Sequence, residues 1–254
     1  MKANWDLWLT VLLIVTCIIT PYRIAFEAKE GNDEKRSTIV NIIIDLFFLL
    51  DMIFSFTTAY TDEDFRVIDD RATIAKGYLK SWFLIDLLAI LPFELILGGG
   101  GGSGMNDVVR LARIGRLYKL IKLTKLMRVF KIVKDRSKFL KYVQDMLQLG
   151  YGFERLVFFV LVFLLICHIV SCLWVFQATF SADNDYIGTW MEGSDRTTKE
   201  TYLTSFYFTV TTITTVGYGD YSASSSLEMY FCIIIQIIGV ISFSFASGAL
   251  ASIL

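Results

Sequence analysis

Proline is almost missing from this chain of 254 residues, which has two, and charged residues make up only 19% of it. So little of either leaves no material for a disordered tail or for a polar, loop-rich fold. Cysteine is placed for neither disulfides nor metal. Cys17, Cys167, Cys172 and Cys232 all fall inside apolar stretches, where a thiol behaves as a small buried hydrophobe. Histidine occurs once, and His168 lies in an apolar stretch with no second ligand nearby, so an interhelical hydrogen bond is expected and not a metal site. No nucleophile-and-base pair or metal-ligand set is apparent, so neither an enzyme nor a resident cofactor is expected. Nucleic acid is not an expected partner. Nor is a cleavable signal peptide: the first apolar stretch begins at Trp5, carries Asp6, and is long enough to remain as a membrane anchor. The segment pattern has no internal repeat.

What the chain has in abundance is apolar surface: 55% hydrophobic residues and a mean hydropathy of +0.56. That excludes an ordinary cytosolic globule and places the chain in a lipid bilayer. Five apolar stretches, at 5–27, 38–60, 80–97, 153–180 and 227–254, approach or exceed the ~20 residues that cross the hydrocarbon. A basic run at 107–134 is a sixth candidate. Tyr202 to Thr214 is too short to span, which suggests a re-entrant helix and loop. The expected fold is therefore an all-α membrane protein of six transmembrane helices with a re-entrant loop. Arg66, Arg71, Lys76, Lys80, Arg136, Lys138 and Lys141 outweigh the cations of the opposite loops, so both termini are expected on the cytoplasmic side. The glycine-rich loop Gly98 to Gly104 reads as a flexible linker.

The net charge of -1 hides a concentration of cations. Arg110, Arg113, Arg116, Lys119, Lys122, Lys125, Arg128, Lys131 and Lys134 fall at every third position, separated mostly by apolar pairs. On an α-helix such steps make a spiral stripe, and on a 3₁₀ helix they align in one row. An isolated cation in hydrocarbon costs roughly 3 kcal/mol, so the ladder needs water crevices, lipid phosphates or acidic partners. Acidic partners are present. Asn41, Asp45, Phe48, Asp51 and Ser55 share one helical arc of about 120°, and Asp86 and Glu94 lie on the third stretch. A unit charge moved through the membrane field is worth about 2.3 kcal/mol per 100 mV, so Arg110 to Arg128 are expected to be gating charges that sense voltage. The plainer alternative is a basic helix lying on anionic lipid or offered to calmodulin.

After the short helix comes Thr215-Val216-Gly217-Tyr218-Gly219-Asp220. A dehydrated cation needs its water shell replaced by closely spaced oxygens, and Gly217 and Gly219 permit the dihedrals that turn successive carbonyls to one axis. The pentapeptide is recognised as a potassium-channel filter, with potassium as permeant ion held at Thr215, Val216, Gly217 and Tyr218. Asp220 adds acidic charge at the outer mouth. One copy per chain requires three further subunits around the axis. Gly239 and Gly248 in the last stretch are either gate hinges or packing glycines.

With these motifs the chain resembles the membrane part of the voltage-gated superfamily that includes ether-à-go-go, hyperpolarisation-activated and plant inward-rectifier channels. Asp45-x-x-Phe48-x-x-Asp51 with Phe56-Thr57-Thr58 is similar to their second segment. Tyr78-Leu79-Lys80-Ser81-Trp82-Phe83-Leu84-Ile85-Asp86, followed by Leu91-Pro92-Phe93, is similar to the third. His168 with Cys172 and Trp174 resembles the fifth, and the spacing of Gly239 and Gly248 the sixth. The resemblance implies that Phe48, Asp51 and Asp86, with Asp45, form the occluded site through which gating cations pass. It implies a voltage sensor at 1–150, a tetrameric pore at 151–254, and a plasma-membrane potassium channel. A channel admitting sodium as well is the nearest alternative, and Asp220 weighs against it. A voltage-driven transporter or scaffold would share the ladder without needing the filter. A cyclic nucleotide would be bound by a cytoplasmic region that these motifs do not include. The short connection from Lys134 to Phe153 suggests that each sensor lies beside its own subunit's pore.

Overall fold

A computed structural model of the chain describes residues 2–26, 33–61, 67–90, 123–130, 151–181 and 187–251. The elements are α1 (Lys2–Phe26), α2 (Asp33–Ser55), β1 (Tyr60–Thr61), β2 (Val67–Ile68), α3 (Arg71–Ser81), α4 (Phe83–Ile90), a 3₁₀ helix (Leu123–Arg128), α5 (Tyr151–Ser181), α6 (Thr198–Ile213) and α7 (Ser226–Ala251). The structure is all-helical apart from the two-residue strands, which pair antiparallel through Tyr60 with Ile68 and Thr61 with Val67. Among the described residues, three helices are long and apolar enough to cross a membrane, at Leu7–Phe26, Leu156–Phe180 and Ser226–Phe245. Two compact units form: Met1–Val15 with Lys29–Asp135, and Thr16–Ala28 with Arg136–Leu254.

In the first unit the usual inside-out order of side chains is reversed. The buried residues of α2 include Asp45 and Phe48, whereas Ile39, Ile42, Ile43, Leu46, Ile53 and Phe54 are exposed. Water would reject such an apolar outer face, and hydrocarbon accepts it. The near end of α1 packs through Trp5, whose ring meets Phe54 edge-on at 5.5 Å between centroids. Helix α3 starts where Asp70 caps it, its carboxylate accepting from the Thr73 N–H at 3.0 Å. The Thr73 hydroxyl, which donates to the same oxygen at 2.6 Å, and this N–H hold the Asp70 carboxyl below its ordinary value. Helix α4 follows after a one-residue break at Trp82, and it packs against α2, α3 and the 3₁₀ helix.

The second unit is built on α5, α6 and α7. Its core joins Cys167, Ile213 and Ile235, with Phe163, Ile166, Val170, Phe206, Val210 and Phe231 against them. Trp174 of α5 stacks nearly parallel on Trp190, Phe208 and Phe231, at interplanar angles of 16°, 19° and 15°. Four successive parts of the chain are thereby clamped to one indole. The apolar Ile233, Ile234, Ile237, Ile241 and Phe245 of α7 face outward.

Candidate functional site

Helix α6 is positioned at both ends by local chemistry. At its start Thr197 and Glu200 form a capping box: the Thr197 N–H donates to Glu200 Oε2 at 2.8 Å, and the Glu200 N–H to Thr197 Oγ1 at 3.4 Å. The bonds from Thr197 hold the Glu200 carboxyl below its ordinary value. At the other end, threonine hydroxyls turn back onto the helix. Thr211 and Thr212 donate to the Phe208 carbonyl and Thr214 to that of Val210, so these polar side chains are satisfied without water.

The chain leaves α6 in an unusual conformation. Thr215, Gly217 and Gly219 have φ of 63°, 55° and 78°, while Val216 and Tyr218 between them keep negative φ. Thr215 is the one non-glycine residue with positive φ among the described residues, a conformation that costs about 1–3 kcal/mol and persists only where neighbours impose it. They do so here: the N–H groups of Val216 and Gly217 both donate to the Thr211 carbonyl, at 2.9 and 3.1 Å. In an ordinary strand successive carbonyls alternate sides, but residues alternating between left- and right-handed dihedrals turn N–H groups to one side and carbonyls to the other. Residues 215 to 220 are exposed on the open side. With α6 and α7 the segment lines a groove of about 590 Å³ reached by Thr212, Thr215, Gly217, Asp220 and Gln236.

Side chains brace the same strand. The Tyr207 ring of α6 lies parallel to Tyr218 at 6.4 Å, and Tyr221 stands edge-on to it at 6.2 Å. Beyond the strand, the fully buried Glu228 of α7 accepts from three backbone N–H groups: Trp190 at 3.2 Å, Ser224 at 2.8 Å and Ser225 at 3.1 Å. Sequence reasoning missed this residue. The Ser-x-x-Glu spacing from Ser225 is a helix-start signature that marks the local half of it, but nothing in the spacing points to Trp190.

Gly239 resolves toward packing: a β-carbon there would lie 3.0 Å from the Ile213 Cα and 3.1 Å from its carbonyl oxygen, whereas one at Gly248 would meet nothing within 4 Å. His168 makes the interhelical bonds expected of it. Its Nε2 lies 2.8 Å from the Ile18 carbonyl and its Nδ1 2.7 Å from the Tyr202 hydroxyl. A carbonyl only accepts, so Nε2 carries the proton and Nδ1 receives the phenolic one.

Of the acidic positions expected on the second and third segments, Asp45 and Asp86 are buried on α2 and α4. Asp45, Phe48 and Asp86 are 9%, 2% and 1% exposed, and Asp51 is intermediate. Asp86 accepts from the Tyr78 hydroxyl at 2.5 Å. Of the ladder, Lys125 is buried, and it sits in the 3₁₀ helix. Arg110, Arg113, Arg116, Lys119 and Lys122 lie outside the described residues, as does Glu94.

Long apolar helices and buried carboxylates beneath an apolar exterior define an integral membrane protein. The chain belongs to the ion transport protein family, which it matches over residues 2–252. It is similar to a mouse voltage-gated inwardly rectifying potassium channel, KCNH7, at 28% identity over 279 residues covering 100% of this chain and 22% of the relative. The potassium voltage-gated channel unc-103 of Caenorhabditis elegans is 30% identical over 284 residues, 100% of this chain and 32% of the relative. A pig voltage-gated inwardly rectifying potassium channel, KCNH2, is 28% identical over 279 residues, with 22% of its length covered. The chain thus spans between about a fifth and a third of these curated relatives.

Proposed function

We propose that the chain is a subunit of a voltage-gated, potassium-selective channel in the plasma membrane, with the pore closed by four copies around the strand 215–219. The observation that carries this reading is the alternating φ of Thr215, Gly217 and Gly219, with the N–H groups of Val216 and Gly217 turned back onto Thr211. Carbonyls aimed to one side would make a quarter of a cation cage, and three further chains would supply the rest. Potassium would then be held at Thr215, Val216, Gly217 and Tyr218, with no other cofactor. The carbonyl end of α6 carries partial negative charge toward the permeating ion. Family membership and relatives named as voltage-gated potassium channels support the same function.

In this reading six helices cross the membrane, α6 and the strand after it form the re-entrant element, and both termini are cytoplasmic. Residues 1–150 sense voltage and 151–254 conduct. Arg110 to Arg128 are the gating charges, and Asp45, Phe48, Asp51 and Asp86 are the site they pass. Gly248, whose surroundings are open, is the better placed of the two glycines to act as a hinge. Patch-clamp recording in two-ion gradients tests the proposal: the reversal potential should follow potassium and ignore sodium. A reversal potential unmoved when external sodium replaces potassium would instead establish the weakly selective cation channel.

A further inference from the structure

The carboxylate of Asp86 has a permanent partner on its own segment. Tyr78 is 8% exposed, and its hydroxyl donates to Asp86 Oδ2 at 2.5 Å. The two residues belong to different helices, α3 and α4, yet the backbone stays nearly helical across the break. The Trp82 N–H donates to the Tyr78 carbonyl at 3.2 Å, and the Asp86 N–H to the Trp82 carbonyl at 3.0 Å. The phenol ring is held by an aromatic cage. Phe56, just past α2, stands edge-on to it at 4.9 Å and 88°, and Phe83 does so at 6.0 Å and 79°. Phe56 and Phe83 meet each other at 5.8 Å, which closes the trio. The phenol ring therefore has little rotational freedom, which keeps its oxygen beside the carboxylate.

A buried carboxylate without a hydrogen bond or counter-charge is costly. If Asp86 had only ladder cations for partners, each cation leaving it would strand a bare anion until the next arrived. A caged phenol removes that penalty. It keeps Oδ2 of Asp86 bonded whichever cation is passing.

Resting on the voltage-sensor reading above, we infer that Tyr78 is a positioning residue of that sensor, whose hydroxyl holds Asp86 between successive gating cations and so speeds their transfer. It acts through Asp86 and not on the cations themselves. The effect is on the rate of charge movement, with the total charge moved left unchanged.

The test is gating-current recording on the full-length channel carrying Tyr78→Phe, Asp86→Asn or both. Phenylalanine keeps the ring and its packing and removes only the hydroxyl. Charge movement in Tyr78→Phe should be about tenfold slower, the factor one charge-assisted hydrogen bond carries, with the same total charge per channel. In the Asp86→Asn background the added Tyr78→Phe change should leave the rate as it is. Equal slowing in both backgrounds, or none in either, overturns the inference. If Tyr78→Phe does not reach the membrane, fluorotyrosine at position 78 keeps the shape and makes a stronger donor. Charge movement should then be faster than in the wild type, and an unchanged rate overturns the proposal. Absence of any gating current from the wild-type channel would instead strike the sensor reading itself.

Discussion

Replacing the buried Glu228 with alanine should loosen the end of the second unit where α7 begins. The carboxylate joins two places 38 residues apart, with Oε1 taking the Trp190 N–H and Oε2 those of Ser224 and Ser225. Trp190 is buried, so its N–H has no water to turn to, and leaving such a donor unpaired costs about 1–3 kcal/mol. Ser224 and Ser225 are more open, and the loss there is that of a helix cap, about 1 kcal/mol. Together the change should cost about 2–4 kcal/mol per subunit. The assay is a denaturant titration of the purified assembly, with Glu228→Gln alongside. Glutamine keeps the shape but turns one acceptor into a donor facing an N–H, so it should recover only part of the loss. Because Trp190 stacks on Trp174, which also holds Phe208 of α6, the filter should feel the change as faster entry into a non-conducting state. Alanine and wild type with the same denaturation midpoint and the same open lifetime would refute this account of Glu228.

Gly217→Ala places a β-carbon on a φ of 55°, so the carbonyl direction should fail and conduction or selectivity be lost, while gating currents survive as the check that the sensor is intact. Gly239→Ala meets the Ile213 backbone at 3.0 Å and should destabilise by about 1–3 kcal/mol in the same titration, whereas Gly248→Ala, with open surroundings, should not destabilise. The capping box of α6 should weaken in acid. The Glu200 carboxyl is held below its ordinary 4.5, so its contribution is present above that value and is lost as pH falls through the lower folded one. Thr197→Ala should flatten that part of the pH profile of stability, and an unchanged profile would count against the box.

The positive φ at 217 and 219 was legible because glycine stands there, and the three-residue period of cations is legible as a pattern alone, since Arg110 to Lys122 lie outside the described residues. The backbone angles follow from glycine at 217 and 219, and the ladder needs only counting. The acidic arc of α2 was legible for the same reason, since Asp45 and Phe48 share a face by helical arithmetic and the structure buries both. Choosing between spiral and row was not possible from spacing, because both helices satisfy it. The structure makes residues 123–128 a 3₁₀ helix. What stayed hidden depends on long-range meetings: Trp190 with Glu228, Trp174 with Phe231, and His168 with a carbonyl 150 positions earlier. Tyr78 was quoted only as part of a motif, and its bond to Asp86 depends on the break at Trp82, which hydrophobic patterning does not reveal.

In the proposed sensor, the 3₁₀ geometry at 123–128 bears on how a charged rod would move past a fixed point. On an α-helix, bringing the next cation of a three-residue series to the same counter-charge takes an advance of about 4.5 Å together with a turn of about 60°, so the rod must behave as a screw. On a 3₁₀ helix the side chains at i and i+3 are eclipsed, and the same exchange is a straight slide of about 6 Å with no turn. Lys125 sits in such a helix. A rod that need not rotate can keep its apolar sides against the same neighbours through the whole stroke, so its bearing surfaces can be fitted closely instead of being smoothed for rotation.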